Sequence, residues 1–477
     1  MKYNKILITL AAIFIFTACK KEWLDLEPST AIETESSIKS LRDANYALNG
    51  IYNTLQSYEY YGARMTYYAD VTGDDAQAKS NTKRCANYYM FRYNRDNAPS
   101  SLWYLPLKVT RFSNNILAQA DNLPVVLETD QADINHVKGQ ALTLRALALF
   151  DATRVYGYPY TKDNGASLGG CIITSIPDYD YKPARNTVAE CYNQVISDLT
   201  TAIPLLKNIK TPGKINKFAA MALLSRVYLY MGDNTNALLT AEATINESIT
   251  AGYKLWTNAE YVAQWKVAFN NESLFEIVNT DVDNAGNEGA PYLYWKSGYD
   301  DINLTRSFYD LVNTDPLDVR RQLITTSSTR YYLMKYTGNG TTELPTASNI
   351  TVLRLSEVYL IAAEAAVKLP DNTKALAYIN AIVSRANPAK SITGTVTLAQ
   401  VLLERRKELI GEGHRLFDAM RNNITITRTG TSHLLDLTAE EKTYNWGWYK
   451  IVLPIPKAEI DANPNIRDQQ NPGYNAD

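Results

Sequence analysis

The sequence predicts a mostly α-helical fold in which paired amphipathic helices form a scaffold carrying long irregular loops. Three observations lead there. Apolar residues recur at helical spacing in a succession of long segments. Two of those segments share one helix–turn–helix pattern. Two aromatic-rich stretches interrupt the series with neither a helical nor a strand period.

Taken in order, Ser40–Leu55 places Leu41, Ala44, Leu48, Ile51 and Leu55 on one face. Val137–Tyr156 does the same with Ala141, Leu144, Ala148 and Phe150. The pattern continues through Thr187–Leu206, Lys217–Met231, Asn236–Ile249, Thr351–Val367, Thr373–Arg385 and Leu398–Met420. In two places an Ala/Leu/Tyr-rich helix runs into an Asp-Asn-Thr turn, at Asp233 and at Asp371. An Asp side chain there can cap the next helix. Small-residue helix, tight turn and second helix is the habit of tetratricopeptide-type repeats. The copies are degenerate and far apart, which predicts buried helix pairs inside one fold and not an open solenoid.

The irregular stretches are Tyr58–Ser101 and Asn279–Leu304. Segments this long inside a compact protein are functional or disordered, and disorder does not hold so many aromatics. They are expected to be binding loops. The chain of 477 residues carries 34 Tyr against 10 Phe and 7 Trp, and Tyr suits both cores and wet binding surfaces.

Lys+Arg is 48 and Asp+Glu is 50, so the clustered positive excess of a nucleic-acid binder is missing. The sequence has three His and four Cys with no CxxC or HExxH spacing, so neither a metal nor a cofactor is expected. Lys2 and Lys5 precede an uncharged stretch from Ile6 to Ala18 that is too short to span a bilayer. The break at Phe16-Thr17-Ala18-Cys19 resembles a bacterial lipobox, with Phe16 where Leu is usual. Residues 1–18 are therefore expected to be a lipoprotein signal peptide, Cys19 the lipid attachment site, 19–37 a tether, and 38–477 a single domain.

Catalytic constellations are sparse. His136 and His433 are read as surface residues without partners. Asp74-Asp75 can mimic the paired carboxylates of a glycoside hydrolase, but sugar-hydroxyl acceptors or turn residues explain them as well. Glu404-Arg405-Arg406-Lys407-Glu408 with Glu412-Gly413-His414-Arg415 suits an ion-pair network, Glu404 and Glu408 finding partners in Arg405, Arg406 and Arg415. Trp103, Trp256 and Trp265 flank helices and are expected in the core.

The motifs then resemble one family. Gly139-Gln140-Ala141-Leu142-Thr143-Leu144-Arg145-Ala146 through Arg154-Val155-Tyr156-Gly157 is similar to the G-E-A-x-x-L-R-A…R-x-Y-G helix of SusD/RagB-type outer-membrane lipoproteins. Ala219–Leu229, Arg354–Leu360 with Ala363-Glu364-Ala365, and Glu404–Asp418 resemble three further family segments. Pro454-Ile455-Pro456 and Gln470-Asn471-Pro472-Gly473-Tyr474 resemble its ending. The resemblance implies a lipid-anchored, cell-surface protein of the outer membrane. It would bind a nutrient glycan, or a peptide as RagB-like proteins do, and deliver it to a SusC-type TonB-dependent porin. It places no ligand residue. From chemistry alone, aromatic platforms beside hydrogen-bonding groups suit sugars, and the candidates are Asp74, Asp75, Tyr88, Tyr89 and Arg92 in the first loop. In the second they are Tyr292, Tyr294, Trp295 and Tyr299, with no catalytic residue assigned.

Overall fold

The computed structural model describes residues 38–178, 180–428 and 430–474. The predicted signal, Cys19 and the tether lie outside these residues. The helices of the scaffold and its flanks include α1 (Leu41–Gln56), α2 (Arg64–Val71), α3 (Ser101–Ala120), α4 (Asp130–Tyr156), α5 (Val188–Ala202) and α6 (Lys217–Met231). They continue with α7 (Asn234–Thr250), α8 (Leu355–Lys368), α9 (Asn372–Ala386), α10 (Leu398–Glu408) and α11 (Arg415–Arg421). Each of α3 to α8 packs on the next in this order, α8 also meets α10, and α1 lies across α3 and α4. This is the predicted scaffold of stacked helix pairs. Among the described residues no helix is long and apolar enough to cross a membrane.

The capping expected from sequence is present. Asp233 accepts from the Asn236 amide at 3.1 Å and Asp371 from the Lys374 amide at 3.0 Å, each satisfying a backbone donor that the first helical turn leaves orphaned. Reciprocal Thr187–Glu190 and Thr397–Gln400 capping boxes start α5 and α10.

The helix expected over Thr351–Val367 begins late. Ile350–Arg354 is a strand, β6, paired antiparallel with β2 (Ser273–Ile277). Its Ile-Thr-Val run is β-branched and stiff at χ1, which favours a pleated surface over a helix. The helix expected over Leu398–Met420 is two helices, because Gly411 (φ +81°) and Gly413 (φ +78°) turn the chain through left-handed backbone. At Gly413 a Cβ would lie 2.3 Å from the Met65 carbonyl oxygen. The stretch 58–101 is less irregular than expected, holding α2, β1 (Ala76–Ala78) and a short helix Ala86–Tyr89. A second sheet runs β1, β3 (Ile302–Leu304), β5 (Arg330–Leu333), β4 (Ile324–Ser327), so both aromatic loops converge on one sheet. Helix α3 carries Pro106 in its second turn, a breaker that hides the helix in the sequence.

The charged C-terminal motif is an ion-pair network, but not with the expected pairing: Arg405, Arg406 and Arg415 go to Asp418, Asp75 and Asp74, and Glu404 and Glu408 draw arginines from outside the segment. Glu408 meets Arg354 and Arg385 (both 2.7 Å), and Glu404 meets Arg320 at 2.9 Å. Arg405 pairs with Asp418 at 3.0 Å. Glu364 of α8 accepts from Arg421 Nη2 at 2.6 Å and Lys368 Nζ at 2.8 Å. Burial raises the Glu364 carboxyl, but Arg421 and Lys368 outweigh it and hold it at about 2.

A depressed carboxyl contributes stability above its unfolded-state pKa and loses it as pH falls toward the folded-state value. Glu364→Gln is therefore expected to cost about 3–5 kcal/mol at pH 7, as for a buried pair broken on one side. That gap should narrow between pH 4.5 and pH 3 in urea unfolding. A gap of constant size down to pH 3 would contradict the assignment.

Candidate functional site

An accessible aromatic platform lies at the turn after the short helix Ala290–Tyr294. Gly298 donates its amide to the Trp295 carbonyl at 3.0 Å, and Tyr299 N returns to the Tyr292 carbonyl at 3.2 Å. Only glycine fits the fold-back, since a Cβ at Gly298 would stand 2.4 Å from the Tyr292 carbonyl oxygen. The turn gathers Tyr292, Trp295 and Tyr299, all half-buried, into one cluster. Tyr292 meets Trp295 at 5.7 Å between ring centroids and Tyr299 at 5.1 Å, both edge-on, the arrangement that aromatic quadrupoles prefer.

A cationic segment clamps this turn. The Arg84 guanidinium stands 3.9 Å over the Tyr299 ring and pairs with Glu288 (Nη2–Oε1 2.8 Å) and Asp301 (3.3 Å). Lys83 Nζ reaches Asp301 at 2.9 Å and donates to the Tyr299 carbonyl at 2.6 Å. On the other side, Ala290 N donates to the Gly62 carbonyl at 2.8 Å. That contact brings up the loop bearing exposed Tyr58, with Arg64 6.0 Å from its ring and paired to Glu59 at 3.1 Å. The result is aromatic faces beside Arg and Glu ends, the mixture that recognises polyhydroxylated rings.

The other sequence candidates are placed elsewhere. Tyr88 is 2% exposed, its ring edge-on to those of Tyr67, Tyr68 and Tyr93. Tyr89 is buried with its hydroxyl 2.7 Å from His433 Nδ1 and Arg428 over its ring. His433 is thus a buried partner and not a surface residue. Tyr294 is buried beside Tyr336. These three rings pack the interior because the short helices that carry them turn them inward.

Asp74 and Asp75 are occupied as well. Asp74 takes Arg415 (Nε–Oδ1 2.6 Å) and Asp75 takes Arg406 through both oxygens (2.7 Å each). Burial raises Asp74, yet Arg415 and Arg406 win and hold it at about 2. A general acid for glycoside cleavage needs the opposite, a proton retained near neutral pH. Burial pushes Asp75 up despite Arg406, but Arg406 occupies both of its oxygens, so both carboxylates serve as clasps between the end of α2 and the α10–α11 corner. Arg92 is exposed, and its side chain makes no hydrogen bond or ion pair among the described residues. Sequence reasoning missed Arg84 and Glu288, which meet across most of the chain between the two loops, and Arg64, which acts on Tyr58 and Glu59 within its own loop.

Stacked helix pairs bearing a half-exposed aromatic turn define a class of α-helical scaffold, and the comparisons give it a family. Residues 256–474 match the SusD family, and residues 22–229 match a SusD-like family described as starch-binding and associating with the outer membrane. The chain belongs to the SusD family, a carbohydrate-binding family. A protein of Bacteroides vulgatus ATCC 8482 is 49% identical, with TM-score 0.88, over 92% of this chain and 100% of that one. A SusD superfamily protein of the same organism is 39% identical, with TM-score 0.87, over the same shares. The surface glycan-binding protein A of Bacteroides thetaiotaomicron, solved with laminarihexaose, is 20% identical with TM-score 0.70 over 90% of this chain and 99% of that one; it shares the fold.

Burial separates the two sets of aromatics energetically. Tyr88→Ala should cost about 3–5 kcal/mol, as large-to-small changes in a packed core do. Trp295→Ala should cost under about 1.5 kcal/mol, the range of one aromatic pair. Urea midpoints compare them directly, and equal losses would show that the Trp295 cluster is core.

Proposed function

We propose that the protein is a lipid-anchored outer-membrane lipoprotein that captures an oligosaccharide on the Tyr292–Trp295–Tyr299 platform and passes it to a SusC-type TonB-dependent porin. The observation that carries this reading is the half-exposed aromatic turn held rigid by Arg84 and Lys83. A ring on such a platform meets pyranose C–H faces without first ordering a loop, so little conformational entropy opposes binding. Glu288, Arg64 and Glu59 at the rim offer acceptors and donors for hydroxyls. The laminarihexaose held by the glycan-binding relative supports a β-glucan, and the starch-binding description of the matched family supports an α-glucan.

Two experiments test the reading. Isothermal titration with laminarihexaose and maltohexaose should find binding to the wild type by one of them. Trp295→Ala should weaken it about 5- to 150-fold, the equivalent of about 1–3 kcal/mol for a stacked ring. Unchanged affinity in the variant would remove the platform from the site, and release of shorter sugars on incubation would indicate hydrolysis instead. For the anchor, Cys19→Ala should release the protein from the membrane fraction or leave its signal uncleaved. Wild-type processing and fractionation of that variant would refute the lipid anchor.

A further inference from the structure

A second concave site lies away from the aromatic platform and shares no residue with it. A cleft of about 480 Å³ opens between α3, the stretches 171–178 and 181–183, and the short helix Lys457–Ala462, within the range of small-ligand pockets. Its floor is formed by half-buried Leu107 and Ile173 over buried Trp103 and Ile466, with the half-buried Glu459 carboxyl beside them. Its rim carries Arg111, Asp178, Tyr181 and Lys182, all exposed. None of these four side chains makes a hydrogen bond or ion pair among the described residues.

The walls are fixed although the rim is uncommitted. Asn463 Nδ2 donates to the Pro183 carbonyl at 2.7 Å and Asn465 Nδ2 to the Lys182 carbonyl at 2.6 Å. Asn114 Nδ2 holds the Ile173 and Ser175 carbonyls at 3.0 and 2.8 Å. Buried Arg185 donates to the Gln469 carbonyl at 2.6 Å and to those of Gly169 and Tyr156 at 2.8 Å each. Side-chain amides and a guanidinium thus freeze the backbone around the cleft while its rim groups stay unpaired. A preformed cleft of this kind binds without an ordering cost.

We propose that this cleft is a second carbohydrate subsite, taking a neutral pyranose unit on the Leu107–Ile173 floor above buried Trp103, with its hydroxyls bonded to Arg111, Asp178, Tyr181 and Lys182. The ligand class follows from the mixture of signs. A rim with unpaired acid and base together matches neither a fixed anion nor a fixed cation. Hydroxyls both donate and accept, so one sugar ring satisfies Asp178 and Lys182 at once. The aliphatic side chains of Leu107 and Ile173 accept its C–H face. The ligand class rests on the glycan reading of the protein, while the location of the cleft does not.

Fluorine NMR of protein labelled with 5-fluorotryptophan separates the two sites, since Trp103 reports the cleft and Trp295 the platform. Trp103→Phe and Trp295→Phe assign the two resonances. Titration with laminarihexaose and with maltohexaose should shift both, with separate saturation curves. The double variant Asp178→Ala/Lys182→Ala, at exposed positions that carry no fold contact, should weaken the Trp103 response about tenfold or more. It should leave the Trp295 response intact. A Trp295 shift without a Trp103 shift overturns the cleft proposal and leaves the glycan reading standing. If neither resonance moves with either sugar, the glycan reading fails and the subsite proposal fails with it. A Trp103 shift unaffected by the double variant also overturns the assignment of the rim.

Discussion

The C-terminal half of this protein is organised around carboxylates that have been taken out of water. Arg354 bridges Glu272 at 2.8 Å, Glu408 at 2.7 Å and Glu412 at 2.7 Å. Arg385 from α9 reaches Glu272 and Glu408, and Lys335 reaches Glu412 at 2.6 Å. Every one of these side chains is at most 4% exposed. Such clusters add little net stability over a packed apolar core, because desolvation opposes the Coulombic gain. What they impose is register. A slip of α9 or α10 by one residue would strand a buried charge, costing several kcal/mol. Helices α8, α9 and α10 and strand β6 are thereby held in one arrangement, and the loops they carry inherit it.

The aromatic platform depends on that arrangement through a short chain of contacts. Asp70, at the end of α2, accepts backbone amides from Gly411, Gly413, His414 and Arg415 at 2.8–3.3 Å. Burial pushes its carboxyl up, against these donors, which favour the charged form. Asp74 and Asp75, a few residues on, are gripped by Arg415 and Arg406. The strand that follows, β1, pairs with β3, which begins shortly after the turn bearing Trp295. Binding loops on rigid elements hold their side chains in place without ligand, which is what a shallow sugar site requires.

The scaffold was legible because it is written locally. Helical apolar spacing, the Asp233 and Asp371 caps, and the motif at Glu404–Arg415 each sit within one segment of chain. The errors share a cause of the opposite kind. Ile350–Arg354 becomes a strand because β2 waits beside it, and the Leu398–Met420 pattern breaks because Met65 crowds Gly413. Arg84 reads as one more loop cation until Tyr299 is folded beneath it. Partners remote in sequence decide these cases, and a single sequence does not display them.

Tyrosine shows most clearly why composition pointed toward the loops without choosing among their rings. A Tyr in an irregular stretch can satisfy its polar tip internally and bury its face, as Tyr89 does through His433, or it can leave a face to solvent. The deciding factor is the backbone beneath it. Tyr88 and Tyr89 ride a helical turn packed under α2, whereas Tyr292, Trp295 and Tyr299 ride a fold-back that Gly298 permits and Arg84 clamps from outside. Because a cation covers one face of Tyr299 and Tyr292 stands edge-on to it, this ring serves mainly to prop the cluster. The faces left to solvent belong to Trp295 and Tyr292, and Arg84 acts on them chiefly by holding the turn that presents them.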